Sequence, residues 1–337
     1  VRSWLVFVGW RELWFARGRF GLLVGVVVLV TVLVGLLSGL TGGLAGRNTS
    51  AVLGLGGDHV VFAGAEGRFE GTELDESTAL GWSATAGVER VGRLAVSMGR
   101  AESGGRSTGV AVFASSTVEE VVLSRGAGAA LGVADGDRVR IGDLDTVART
   151  STKDDYFSHA PVIWVPLPPG SRFSVLVLST SDCDIAAADR LLGTTTEPVE
   201  DAVERIGSFA AENGSLLLMR GFLFAISALV VGAFFTVWTI QRSGDIAVLK
   251  ALGAPTGYLL RDAVGQAAVL LTVGTALGTA IAATVGAVLP DSVPFVLDLP
   301  TLVLPAAALI GLGLAGAALA LRRITTVDPL TALGSAR

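Results

Sequence analysis

The sequence holds one cysteine, two histidines and two lysines in 337 residues, and each shortage removes a class of chemistry. Cys183 alone cannot form an intrachain disulfide, and without a second thiol or a histidine-rich cluster there is no zinc-type ligand set. His59 and His159 are far apart in the chain, and a hydrolytic triad would need a nucleophile and a carboxylate to converge on one of them. Lys153 and Lys250 are followed by Asp154 and Ala251, so the phosphate-cradling G-x-x-x-x-G-K-[ST] loop is absent and ATP hydrolysis is not expected here. Charge is scarce too: 16% of residues against 51% hydrophobic, with a mean hydropathy of +0.65, is outside the usual range of soluble domains. The composition is that of a membrane protein.

What charge there is clusters. Residues 47–212 carry 14 Lys+Arg against 24 Asp+Glu, a balance of −10 in a chain of −5 overall. Nucleic acid is therefore not an expected partner. Acidic pairs such as Asp154-Asp155 and Asp182/Asp184 read as solvated surface.

Apolar runs set the layout. Residues 1–19 interleave Arg2, Arg11, Arg17 and Arg19 with Trp4, Phe7, Trp10 and Trp14, which predicts an amphipathic helix on an anionic membrane face. Residues 20–46 follow as a first span. Their uncharged part, 20–45, is 26 residues long, enough to cross a hydrocarbon core of about 30 Å and too long for a typical cleaved signal sequence. Gly35, Gly39 and Gly43 recur every four residues, which places them on one helix face and allows a close approach by another helix.

Residues 47–213 change character. Short alternating segments such as Gly109-Val110-Ala111-Val112-Phe113 and Arg172-Phe173-Ser174-Val175-Leu176-Val177-Leu178 predict strands, and Asp135-Gly136-Asp137 predicts a turn. Ser116-Thr117-Val118-Glu119-Glu120 has the pattern of a capped helix start, and 197–212 predicts a helix returning to the membrane. A mixed α/β domain with its own core is expected. Residues 214–337 hold three further spans, 215–240, 264–289 and 302–321. Arginines flank the first span's start, the 241–261 connection and the end of the fourth span. The connection between the third and fourth spans carries Asp291 and Asp298 and no cation. The positive-inside rule then makes both termini cytoplasmic and the large domain extracytoplasmic.

The stretch 241–254, QRSGDIAVLKALGA, is a charged island between two apolar runs. Helix formers from Ile246 to Leu252 stop at Gly253, with Pro255 beyond, so a short surface helix is expected. Its ordered run Asp245-Ile246-Ala247-Val248-Leu249-Lys250-Ala251-Leu252-Gly253-Ala254 resembles the coupling helix of permease subunits of MacB/FtsX-type ABC transporters. Arg322-Arg323-Ile324-Thr325-Thr326-Val327-Asp328-Pro329-Leu330-Thr331-Ala332-Leu333 is similar to the closing segment of those permeases. Leu37-Ser38-Gly39-Leu40, Asn48-Thr49-Ser50-Ala51 and Asp58-His59-Val60-Val61-Phe62 look most similar to the haem-exporter branch called HrtB and DevC.

The resemblance implies an α-helical membrane protein with four transmembrane helices and a large extracytoplasmic α/β domain between helices one and two. It implies a permease of an ATP-driven efflux pump, embedded in lipid, paired with a second copy and with a separate cytoplasmic ABC ATPase that binds ATP and Mg. Asp245, Ile246, Leu249, Lys250 and Leu252 would contact that ATPase. Haem is the implied cargo; a lipid or antimicrobial peptide is the alternative, as is FtsX-like signalling to an extracytoplasmic partner without transport. No cofactor of its own is implied. Met219 and Arg220, near the outer end of the second span, are candidates for a haem iron ligand and a propionate partner. Arg47, at the outer end of the first span, is a second propionate candidate. Packing and snorkelling are the ordinary roles of such residues. Tyr156, His59, His159 and Met98 are weaker ligand candidates.

Overall fold

The structure, a computed structural model, describes residues 17–241, 255–290 and 293–325. The expected surface helix over 1–19 lies outside them up to residue 16. So do the coupling stretch beyond Gln241 and the closing segment beyond Thr325. The chain divides into two compact units, one of Gly43–Ser215 and one of the residues up to Gly42 with those from Leu216 onward.

The α/β domain is built on one large sheet. Its strands are β1 (His59–Phe62), β2 (Val88–Ser103), β3 (Arg106–Ser115), β4 (Val122–Leu123), β5 (Arg138–Ile141), β6 (Leu144–Val147), β7 (Arg149–Thr150), β8 (Tyr156–Phe157), β9 (Ala160–Pro166), β10 (Val175–Thr180) and β11 (Thr195–Pro198). The main path runs β11-β1-β10-β2-β3-β9-β4-β7, with β5 on the far part of β2, β6 on β5, and β8 folded back on β9. All pairings are antiparallel except β3 with β9 and β4 with β7. The β2–β3 hairpin closes through Gly104-Gly105, whose φ angles of 55° and 79° suit the mirror-image turn that right-twisted strands require.

Phe62, Phe69, Phe113 and Phe157 fill one side of the sheet in a chain of edge-to-face contacts, with ring centroids 5.2–5.8 Å apart. Trp82, Leu176 and Leu178 anchor a second cluster, and Leu123, Leu131, Val139 and Ile163 a third. The helices that cover these clusters are locally capped. Asp75 accepts from the Thr78 N–H ahead of α1 (Glu76–Ser83), Ser124 from Ala127 ahead of α2 (Arg125–Leu131), and Asp184 from Ala187 ahead of α3 (Ile185–Leu192).

Two local expectations fail. Residues 116–120 form a turn, because Ser115 Oγ accepts from the Thr117 N–H and bonds its hydroxyl, so the side-chain oxygens serve a turn and the chain enters β4. The helix starts only after Ser124. Residues 197–212 are likewise not one helix: β11 ends at Pro198, a single turn α4 (Val199–Ala202) and a 3-10 turn follow, and Ile206 is extended before the long helix begins at Gly207. Pro198 and the β-branched Val199 and Val203, which bury themselves against the core, set that break.

The helical unit comprises most of α5 (Arg17–Leu53), the greater part of α6 (Gly207–Gln241), α7 (Thr256–Val288) and α8 (Leu299–Thr325). α5 precedes β1 in the chain, and α6 follows β11 after a short turn. Each contains a stretch long and apolar enough to cross a membrane: Gly21–Leu53, Gly207–Phe234, Val264–Val288 and Leu299–Leu319. Leu23 and Val27 of α5, Val231 of α6, Leu270 and Leu271 of α7 and Ala317 of α8 meet in one cluster. Small residues bring the helices close. A Cβ at Gly274 would lie 2.7 Å from Val27, one at Gly278 2.6 Å from Thr31, and one at Gly313 2.7 Å from Leu271.

Candidate functional site

The candidate residues fall into separate places, each best read within its own unit. In the helical unit, Gly35 faces Ala282 of α7, where a Cβ would sit 3.0 Å away, and a Cβ at Gly39 would collide with the Phe295 ring. The Val296 N–H donates to the Gly39 carbonyl at 3.1 Å, so the segment after α7 is fastened to α5 at that glycine. Gly43 is buried. Met219 is 54% exposed on α6 and Arg220 beside it is half-buried; adjacent positions on a helix point about 100° apart. Of the four apolar stretches, that of α6 is covered least, 11% of it being buried against 22–33% for the others.

In the α/β domain a polar cluster joins three segments. The β8–β9 hairpin turns through Ser158 and His159, both left-handed, with φ of 50° and 65°. Non-glycine residues pay roughly 1–2 kcal/mol each for that conformation, so something must hold the turn. Its two N–H groups donate to the last turns of α5, Ser158 to Asn48 O at 3.2 Å and His159 to Arg47 O at 2.9 Å. The His159 imidazole reaches Glu212 of α6 with Nε2 2.9 and 3.0 Å from the two carboxylate oxygens. Asn48, 1% exposed, donates through Nδ2 to Glu212 at 3.0 Å and accepts at Oδ1 from Ser208 at 2.6 Å. The tautomer consistent with these bonds carries its proton on Nε2. Ser158 donates to Ser208 at 2.9 Å, and the Arg47 guanidinium lies 5.5 Å from the centre of the Tyr156 ring. Asn48, Ser208 and Glu212 were not singled out as site residues from sequence; only the rarity of buried asparagine in a helix could have marked Asn48.

The other candidates are dispersed. His59 sits on β1 with Nδ1 3.0 Å from Asp58, and Met98 is 50% exposed on β2. Partial burial pushes the Asp58 carboxyl up, but the Thr180 hydroxyl and N–H and the His59 ring outweigh it and hold the group below its ordinary value. Thr150's hydroxyl and N–H hold Asp135 down likewise, whereas burial raises Glu70. Burial, then Asp184, Asp182 and Asp189, push the Cys183 thiol up, which suits an inert thiol. Gly105-Arg106-Ser107-Thr108-Gly109 has G-x-S-x-G spacing, but it runs from a hairpin turn into a strand rather than from a strand into a helix, so it is no nucleophile elbow. Among the described residues no group of three His, Cys, Asp or Glu side chains could hold a metal ion.

A chain of four apolar helices with an α/β domain inserted after the first is a multi-pass membrane protein. Residues 217–329 match the FtsX-like permease C-terminal family, so the chain carries an FtsX-like permease domain. A protein of Staphylococcus epidermidis named as the hemin transport system permease HrtB is 27% identical over 205 residues, 59% of this chain and 59% of that relative. A namesake from Staphylococcus haemolyticus is 36% identical over 131 residues, 39% of this chain and 37% of its own length. An uncharacterized ABC transporter permease of Mycobacterium tuberculosis is 31% identical over 123 residues, 36% of this chain and 34% of its own. The chain thus spans about three fifths or less of the relatives it matches, 59% in the first case. The α/β domain is similar to the periplasmic region of MacB from Actinobacillus actinomycetemcomitans at 14% identity, covering 44% of this chain and 94% of that one with a TM-score of 0.34.

Proposed function

We propose that this chain is the permease subunit of an ATP-driven ABC efflux pump that takes haem from the membrane and releases it outside. The observation that carries the reading is the match of residues 217–329, which hold the apolar part of α6 and all of α7 and α8, to FtsX-like permeases. Two copies work with two cytoplasmic ATPase subunits, which bind ATP and Mg. Asp245, Ile246, Leu249, Lys250 and Leu252 take up the movement of those subunits. Both termini are cytoplasmic. The second copy lies along α6, the helix least covered within one chain. The HrtB relatives support haem as cargo.

In this proposal Met219, exposed in the single chain, supplies an iron ligand, once from each copy, and Arg220 or Arg47 pairs a propionate. Haem titration followed by absorption spectroscopy tests it on wild type, Met219→Ala, Arg220→Ala and Arg47→Ala. The bound-haem spectrum is expected to vanish in the methionine variant and to persist with weaker binding in an arginine variant. Absence of haem binding by wild type rejects the cargo, and normal binding by all three variants rejects the site.

Signalling without transport, of the FtsX kind, is the second reading, which the same family match supports. Reconstitution in vesicles separates the two: ATP hydrolysis without haem movement supports signalling.

A further inference from the structure

A groove of about 460 Å³ crosses one face of the sheet in the α/β domain. Its floor is apolar: Leu94, Val122, Val177 and the Trp164 indole line it together with Gly92. A Cβ at position 92 would make ordinary contacts, with Thr117 at 3.5 Å and the Val177 carbonyl at 3.6 Å, so a methyl group fits there but a larger side chain would extend into the groove. One wall is the loop at Gly54–Gly56, which directly follows the last residue of α5.

The groove is lined by two cations, Arg90 and Lys153, and one acid, Asp155. Arg90 donates to Ser179 Oγ at 3.0 Å and to the Gly56 carbonyl, neither of them anionic, and neither Arg90 nor Lys153 forms an ion pair among the described residues. Asp155, the acid on the wall, is engaged by the Trp164 indole N–H at 3.0 Å. This occurs in a region whose overall balance is −10, and Lys153 is its one lysine. The larger groove of the same domain, about 910 Å³, lacks the feature, because Arg93 and Arg172 on its wall are paired with Glu76 and Glu73.

We propose that the smaller groove binds an amphiphilic carboxylate, its apolar body over Gly92 and Trp164 and its acid group between Arg90 and Lys153. The volume falls in the range of about 300–1,000 Å³ typical of small-molecule sites. The apolar floor favours an amphiphile over a simple anion, and the two cations, which outnumber Asp155, favour an acid over neutral lipid. The chemistry admits a single-chain fatty acid or a flat porphyrin dicarboxylate. The inference does not rest on the transport reading and concerns a different part of the chain from Met219 and Arg220.

The test uses the full chain in lipid nanodiscs, with empty nanodiscs as baseline, titrated separately with dodecanoate and with metal-free protoporphyrin IX. Wild type is expected to bind at least one probe saturably, one per chain, and more weakly as salt rises. The double variant Arg90→Gln/Lys153→Gln is expected to lose about tenfold in affinity and most of the salt dependence. Gly92→Leu, which fills the hollow and leaves the charges, is expected to lose at least as much. Saturation by dodecanoate alone assigns a single-chain acid, by the porphyrin alone a flat ring, and by both an acid group recognised without regard to body shape. No saturable binding of either probe by wild type overturns the proposal, as does equal binding by wild type and the double variant. Should Gly92→Leu unfold the domain, as read by limited proteolysis, the double variant of exposed residues decides alone.

Discussion

The two units solve the packing problem with opposite materials. The α/β domain is cemented by large rings, Phe62, Phe69, Phe113, Phe157 and Trp164, around a sheet whose hydrophobic effect is driven by water. The helical unit has no such drive between its helices in lipid, and uses missing side chains instead, at Gly35, Gly39, Gly274, Gly278 and Gly313. One unit is therefore sensitive to removing atoms, the other to adding them.

The sharpest separation should come from the proposed coupling stretch. Leu249→Glu with Leu252→Glu is expected to abolish substrate-stimulated ATP hydrolysis in the assembled complex while both units stay folded and inserted. Stimulation at the wild-type level would remove 241–254 from the mechanism. Next in size, Phe113→Ala should cost about 3–5 kcal/mol of α/β-domain stability, because it deletes a fully buried ring that touches Phe157 and Trp164. Limited proteolysis should then cut within Gly43–Ser215 and leave the spans protected; simultaneous loss of both would mean that the units do not fold separately.

Gly39→Leu tests the converse. The new side chain collides with Phe295, and roughly 1–3 kcal/mol of overpacking strain is expected in the helical unit. Detergent-resistant assembly should weaken, and a companion Phe295→Ala should restore it. Without that rescue, the collision is not the cause. Asn48→Ala should cost a further 1–3 kcal/mol, roughly, by leaving Ser208 and Glu212 short of a partner. Its mark is faster hydrogen exchange at the Ser158 and His159 amides, and unchanged exchange there would dissolve the clamp.

The smallest effect is acid sensitivity of the α/β domain. Asp58 and Asp135 have folded values below their unfolded ones, so the stability they add is present above the unfolded value and disappears as pH falls through the folded one. Glu70, raised by burial, acts in the opposite direction. A decline below about pH 4 is expected, and Asp135→Asn should flatten it in circular-dichroism titrations. Equal curves for variant and wild type would show that the Thr150 bonds contribute nothing.

The spans were legible because a membrane demands long runs without charge, a signal that no neighbouring residue can disguise. The strands around Val110 and Val175 were legible for a similar reason, since alternation and β-branching are local. The helix expected at Ser116 shows the limit. Its capping pattern is genuine, but the hydroxyls found a turn partner and the valines that follow were drawn into the sheet. Nothing local announced the Ser158-His159 turn, which has neither glycine nor asparagine. Its cost is met by Asn48 and Glu212, which are 164 positions apart. The groove over Gly92 was equally hidden, because its floor is assembled from β2, β4, β9 and β10.

The length of β2 gives the domain a mechanical property. Its 16 residues are gripped by β10 over 88–94 and by β5 at Ala101 and Glu102, so one unbroken strand serves two neighbours at its opposite ends. At about 3.3 Å of rise per residue such a strand is about 50 Å long, and tilting it by about 5° sweeps its far end, with the β3 strand bonded to it along 94–103, through about 4 Å. That distance is close to the spacing between two strands, about 4.8 Å. A small angular input near Val88 thus becomes, at the β5–β6 end, a displacement large enough to make or break a row of hydrogen bonds, as an oar blade travels far when the handle moves little.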